Sequence, residues 1–226
     1  MKIIEPSVEL MRDFDGAEVM KFIERCGRTC YQSEKNITAD SAEKFVRNLI
    51  KRGHESVLEH FSATFKIICD RGVMAELTRH RLASFSVEST RFCDYSKDGL
   101  TLIKPCFFDE NEKTTEYCIR RDDYGDKIFD LKPNKYWYWK DIMASIAAIY
   151  KILREDGATP EQVRTILPNS LKTEIVMTTN LREWRHILKL RTAKDAHPQM
   201  RQVANMILAI LKQKLPVIFE DIGNEK

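Results

Sequence analysis

The chain has 226 residues, 43% of them apolar and 31% charged, which suits one globular domain with a substantial core. Its 37 Lys and Arg against 34 Asp and Glu leave a formal net charge of +3. That is too little for a protein that coats nucleic acid, so any cationic site must be argued locally. MKIIEPSVEL carries no signal-peptide pattern and no apolar run reaches membrane-spanning length, so a cytoplasmic protein is expected, with no membrane partner.

In chain order, residues 17–28 and 40–52 read as amphipathic helices. The second carries Ala42, Phe45, Val46, Leu49 and Ile50 at helical spacing and stops at Gly53. His54 to His60 is a turn into a short helix. Phe61 to Cys69 alternates as a strand, with Phe61, Ala63, Phe65 and Ile67 on one face. Residues 72–82 return to helix, and 84–96 are irregular or extended. Thr101 to Ile103 is a short strand ended by Pro105.

From Cys106 to Pro133 the chain is polar and charge-rich without clear periodicity, which predicts a loop or a peripheral insertion, placed at about 106–132. Lys135 to Gly157 is the most regular helix, with Ile142, Ile146, Ile149, Tyr150 and Leu153 as apolar positions and Gly157 at its end. Thr159-Pro160-Glu161-Gln162 is a capping box that starts a short helix to about Leu167. Lys172 to Thr179 is strand-like. Asn180 can cap a helix through Leu190, and His197 to Leu215 is the last long helix. The order predicts a single α+β domain with several long helices on a modest sheet.

The six cysteines follow no repeated pattern. Cys26 and Cys30 can share a helix face, but no second pair completes a zinc site, so reduced thiols and no metal are expected.

The chemistry concentrates where cations gather. On a helix over 72–82, Glu76, Arg79 and His80 share a face, and Ser84, Ser86, Ser89, Thr90 and Arg91 follow. Guanidinium groups beside hydroxyls and irregular backbone amides suit a phosphorylated ligand; the plain alternative is a solvated helix end. The helix from Asn180 repeats the theme. Arg182, Arg185, His186 and Lys189 read as a cationic face and Leu181, Trp184 and Leu188 as the apolar one, with Arg191 at the end. Glu76 among arginines either pairs with them or accepts a hydrogen bond from a substrate N–H.

Arg79-His80-Arg81, seven residues, then Ser89 and Arg91, resembles the signature of the flavin-dependent thymidylate synthases. His54-Glu55-Ser56 with Glu59-His60, Arg164 to Pro168, and Asn180-Leu181-Arg182, His186, Leu190-Arg191 and His197 are similar to further segments of that family, in its order. Only the stretch around 106–132 has no counterpart.

The resemblance implies reductive methylation of dUMP to dTMP, with 5,10-methylenetetrahydrofolate as carbon donor and FAD reduced by NADPH as hydride donor. It implies a central, largely antiparallel sheet and a homotetramer with active sites at subunit interfaces. It places Ser56, Arg79, His80, Arg81, Val87, Asn180, Arg182, His186 and His197 at FAD. Glu76, Arg79, Val87, Glu88, Ser89, Arg91, Arg164 and Arg191 fall at dUMP, Arg191 facing the uracil ring as the catalytic residue. Relatives often have Asn-Glu where this chain has Ser86-Val87, so contacts from Val87 are implied through its backbone. Glu76 stands where a glutamine is common, and Cys30 where a serine meets the cofactor.

Two other readings compete. A thiol-dependent thymidylate synthase needs a cysteine nucleophile, and Pro105-Cys106 is superficially similar to its Pro-Cys pair, but Phe107 follows where that family has His. A nucleic-acid-binding module needs an extended basic surface, against which the abundant acids argue.

Overall fold

A computed structural model describes residues 1–113 and 134–223, and the backbone of strands at 117–121 and 127–131. In chain order the elements are β1 (Lys2–Ile4), β2 (Ser7–Leu10), α1 (Gly16–Thr29), α2 (Ser41–Lys51), β3 (Ser62–Asp70), α3 (Arg71–Leu77), β4 (Ser84–Val87) and β5 (Thr101–Ile103). Then follow β6 (Tyr117–Arg121), β7 (Lys127–Leu131), α4 (Lys135–Glu155), α5 (Pro160–Val163), β8 (Lys172–Asn180), α6 (Leu181–Arg191), α7 (Pro198–Lys214) and α8 (Pro216–Phe219). The fold is α+β, as the order of elements predicts. No helix among the described residues is long and apolar enough to cross a membrane.

The chain divides into two compact units, one of Glu5–Glu88 with Lys172–Lys226 and one of Met1–Ile4 with Ser89–Leu171. The first is built on a four-stranded antiparallel sheet in the order β2-β3-β8-β4. Its spine is the β3–β8 pair, in register from Ser62 opposite Asn180 to Asp70 opposite Lys172. The strands alternate strictly: Ala63, Phe65, Ile67 and Cys69 of β3 and Ile175 and Met177 of β8 are buried. Val19, Ile23, Val46, Leu58, Leu181, Trp184, Leu188, Ile207 and Leu211 complete this core. Each such side chain contributes roughly 1.5–3 kcal/mol on burial.

Local chemistry explains the seams. Trp184 lies edge-on to Phe65 at 5.2 Å and donates its indole N–H to the Ala63 carbonyl at 3.1 Å, so its one polar atom is satisfied. A Cβ on Gly27 would meet the Phe45 ring at 2.7 Å, so glycine lets α1 approach α2. Asp70 ends β3 and caps α3, accepting from the Val73 N–H at 2.8 Å and from Gln199 at 2.8 Å. Burial pushes its carboxyl up from the ordinary value, against the Val73 and Gly72 hydrogen bonds.

The second unit holds the parallel pair β1–β5, the antiparallel pair β6–β7, α4 and α5. Leu100, Tyr150, Val163 and Leu171 form its core, and Arg154 clamps Asp94 at 2.7 Å. Thr159 and Gln162 make the expected capping box.

Two local expectations are corrected and two are narrowed. The helix predicted over 72–82 stops at Leu77, where the Thr78 hydroxyl bonds back to the Met74 carbonyl at 3.1 Å. Residues 84–87, read as irregular or extended, are extended and form β4, paired with β8. The stretch from Cys106, read as a loop or a peripheral insertion, carries β6 and β7; residues 114–116, 122–126 and 132–133 of it lie outside the described residues. The helix expected from residue 160 to about Leu167 is one turn, α5, followed by a 3-10 turn at Arg164–Ile166.

Candidate active site

Arg79, His80 and Arg81 sit in the turn between α3 and β4, not on a helix face, so they point to different surroundings. His80 is buried, 6% exposed, whereas Arg79 and Arg81 are exposed and form no ion pair among the described residues. The turn is tied to the sheet by the Thr179 hydroxyl, which donates to the Leu82 carbonyl at 2.6 Å.

Three predicted residues meet at this turn. Arg191, at the last position of α6, donates its Nε–H to His80 Nε2 at 3.0 Å. It donates from Nη1 to the Glu76 carboxylate at 2.8 Å and from Nη2 to the Glu76 carbonyl at 3.2 Å. Three of the five N–H groups of a guanidinium are thus engaged, which leaves two. Burial, with the Arg191 and His186 charges near it, pushes the His80 imidazole down to about 4. At neutral pH His80 is therefore the neutral acceptor that Arg191 requires. Of the two alternatives for Glu76, its carboxylate takes the first and pairs with an arginine.

Asn180 caps α6 by accepting from the Glu183 N–H at 2.9 Å, a role that uses its amide oxygen and not its two amide hydrogens. Beside it, Glu55, Glu59, Leu82, Arg182, Glu183, His186 and Lys189 line an open cleft of about 720 Å³. A neighbouring cleft of about 410 Å³ is lined by Cys30, His54, Ser56 and Arg182 among others, so Arg182 and Glu55 border both. The lining is mixed in charge: Arg182 bonds Glu59 at 2.5 Å, and Lys189 stands 4.0 Å from Glu55.

The cationic face predicted for α6 is corrected at one position. Arg185 is 1% exposed and is held by Asp221 at 2.8 Å, by Glu55 at 3.1 Å and by the Ile218 carbonyl. It is a structural cation.

The remaining predicted residues are placed as follows. Val87 ends β4 opposite Ile175. Glu88 bonds Lys172 at 2.8 Å. His197 is exposed at the start of α7. Ser89, Arg91 and Arg164 belong to the second unit; there the Ser89 hydroxyl accepts from the Arg91 N–H at 3.3 Å and the Arg91 side chain meets Glu161 at 2.9 Å.

Glu183 was missed from the sequence. Its carboxylate stands 3.8 Å from His80 Nδ1, and the signal that could have found it is the spacing Asn180, Glu183, His186 along one helix.

A family model described as thymidylate synthase complementing protein matches residues 11–217 of this chain. A flavin-dependent thymidylate synthase of Mycobacteroides abscessus is 34% identical over 224 residues, covering 97% of this chain and 85% of that protein. One from Geobacter sulfurreducens is 31% identical over 203 residues, covering 87% and 78%. By structure, thymidylate synthase X from Helicobacter pylori with FAD and dUMP superposes with a TM-score of 0.70 at 21% identity, covering 97% of this chain and 100% of that one. A UMP/dUMP methylase from Streptomyces cacaoi bound with 5-Br dUMP gives a TM-score of 0.69 at 23% identity, with 97% and 96% covered. The two solved structures share the fold.

Proposed function

The chain belongs to the flavin-dependent thymidylate synthase family, and from that premise we propose that it converts dUMP to dTMP by reductive methylation. The methylene comes from 5,10-methylenetetrahydrofolate and the hydride from FAD reduced by NADPH. Arg191 carries the reading: a half-buried guanidinium, held on one side by His80 and Glu76, retains two N–H groups for a ligand.

Carbon 5 of uracil is a poor nucleophile. A fixed cation on the N3–O4 side of the ring stabilises the negative charge that develops there as carbon 5 attacks the one-carbon unit. Arg191 is oriented before substrate arrives, so little reorganisation accompanies the step. The resemblance assigns dUMP to Arg79, Ser89, Arg91 and Arg164, its phosphate chiefly to arginine and the loop, with Val87 contributing through its backbone; Glu76 acts at the uracil end through its hold on Arg191. Glu88, engaged by Lys172, shapes the segment.

The donor set fits FAD. A pyrophosphate needs cations and neutral donors, and Arg79, Arg81, Arg182, His186, His197, the Asn180 amide and Ser56 supply both kinds, with His80 and Val87 adjoining. The acids of the larger cleft already balance Arg182 and Lys189, so Arg79 and Arg81 supply the surplus positive charge. Bound flavin supplies the redox chemistry, and the chain supplies binding, orientation and electrostatics.

The assembly is assigned as a cytoplasmic homotetramer with active sites at subunit interfaces. Tyr138, Ile142, Ile149 and Ile152 support it, exposed at helical spacing along α4. Cys26, Cys30, Cys69 and Cys93 are unbridged, consistent with a reducing compartment.

The test is direct. Purified protein is expected to be yellow, absorbing at about 450 nm as bound flavins do, to oxidise NADPH faster when dUMP is present, and to form dTMP only with methylenetetrahydrofolate. A colourless preparation, or NADPH oxidation indifferent to dUMP with no dTMP formed, contradicts the reading.

A further inference from the structure

Glu183 and His186 are three residues apart on α6, so their side chains lie on the same side of that helix. The Glu183 side chain is 11% exposed and that of His80 6%, and at such burial a carboxylate 3.8 Å from a ring nitrogen, beyond hydrogen-bond reach, still favours an N–H turned towards it. On the other edge of the His80 ring, Nε2 accepts from Arg191 at 3.0 Å. A ring nitrogen that accepts cannot carry the proton of a neutral imidazole, so the proton sits on Nδ1, towards Glu183.

The tautomer also decides what this cluster is not. One ligand atom from each of His80, Glu183 and His186 lies within 4.8 Å of the others, a spacing a metal ion could use. Nδ1 of His80 has no lone pair to offer while Nε2 serves Arg191, so the cluster is assigned to protons and orientation.

We propose that Glu183 is a positioning residue of the methylation: it orients the His80 imidazole, and His80 holds the Arg191 guanidinium so that two N–H groups stay turned to the uracil ring. The inference rests on the assignment of Arg191 to that ring. It gives the His80 side chain a task on the substrate side of the chemistry, apart from any flavin contact made by this residue. The line runs from carboxylate to imidazole to guanidinium, with Glu76 closing the far side at 2.8 Å. Removing Glu183 leaves the Arg191 charge in place but lets the ring and the guanidinium turn.

Glu183→Ala and Glu183→Gln test it. Glu183→Ala is expected to lower kcat for dTMP between roughly ten- and a hundredfold, the range for groups that orient a functional histidine. The KM for dUMP, bound flavin per chain and NADPH oxidation without dUMP are expected to stay near wild type. Glu183→Gln, whose amide oxygen can still face Nδ1–H, is expected to recover most of the turnover. Unchanged kcat in Glu183→Ala overturns the proposal, as does a loss that tracks lost flavin and is equal in the alanine and glutamine variants. A long-range nitrogen–proton spectrum of histidine-labelled wild type gives an answer independent of turnover. His80 protonated on Nδ1 agrees, and His80 protonated on Nε2 overturns the relay. Wild-type protein that forms no dTMP removes the functional reading, and the tautomer then judges the relay by itself.

Discussion

Two arginines six positions apart on α6 have opposite fates. Arg185, mid-helix, is fully enclosed and saturated: its N–H groups go to Asp221, Glu55 and the Ile218 carbonyl, which fastens α6 to the segment after α7. Arg191, at the end, is anchored along one side and keeps two N–H groups for something else. Both look alike in the sequence, as members of a cation-rich helix. What separates a structural cation from a functional one is how many of its donors the fold consumes.

The largest effect that can break this contrast is in stability. Arg185→Ala takes the buried cation from Asp221 and Glu55, leaving them Lys189 at 3.9 and 4.0 Å, and strips the Ile218 carbonyl of its donor; it is expected to cost about 3 kcal/mol in denaturant unfolding, with turnover per flavin-bearing folded chain nearly unchanged. A variant as stable as wild type yet inactive would reverse the two assignments.

Acid sharpens the contrast next. His80 has a folded value of about 4 against an ordinary 6.5, so the unfolded chain binds the extra proton between those values. The His80 contribution is fully present above pH 6.5, declines as pH falls through that window, and is lower by about 3 kcal/mol at pH 4 and below. Over the same range the Arg185 end is spared, because Arg185 holds the Asp221 carboxyl below its ordinary value. Unfolding followed across pH 4 to 7 in wild type and His80→Gln reads this, and equal slopes in the two would contradict it.

A smaller effect belongs to the start of the helix. Asn180→Ala removes the cap on the Glu183 N–H and is expected to lower stability by about 1 kcal/mol, with restoration by Asn180→Asp in thermal unfolding.

Much of this was legible beforehand. The helices α1, α2, α4, α6 and α7 announce themselves by apolar residues at helical spacing, and β3 and β8 by strict alternation, because each buries one face against the core of its own unit. Asn180 and Thr159 mark helix starts by side-chain chemistry that acts within three residues. Most of the losses are matters of distant partners. Nothing near Arg185 foretells Asp221, 36 residues on, and nothing near Lys2 foretells its parallel pairing with Thr101. The charged run around β6 and β7 lacks the alternation of a half-buried strand, so its pairing left no periodic trace. For the site, the spacing from Arg79 to Arg91 carried the family resemblance, but it suggested a helix face where the chain makes a turn. That turn sends His80 inward to Arg191 and leaves Arg79 and Arg81 outside.

The measurement that bears most directly on this account is dTMP formation by Arg191→Ala beside wild type, at saturating dUMP and matched flavin content. The account predicts a fall in kcat of about a hundred- to a thousandfold, as when a preorganised donor to a developing anion is removed, with the flavin spectrum and the unfolding midpoint close to wild type. Turnover within a factor of about two of wild type would contradict it and return Arg191 to the class of Arg185.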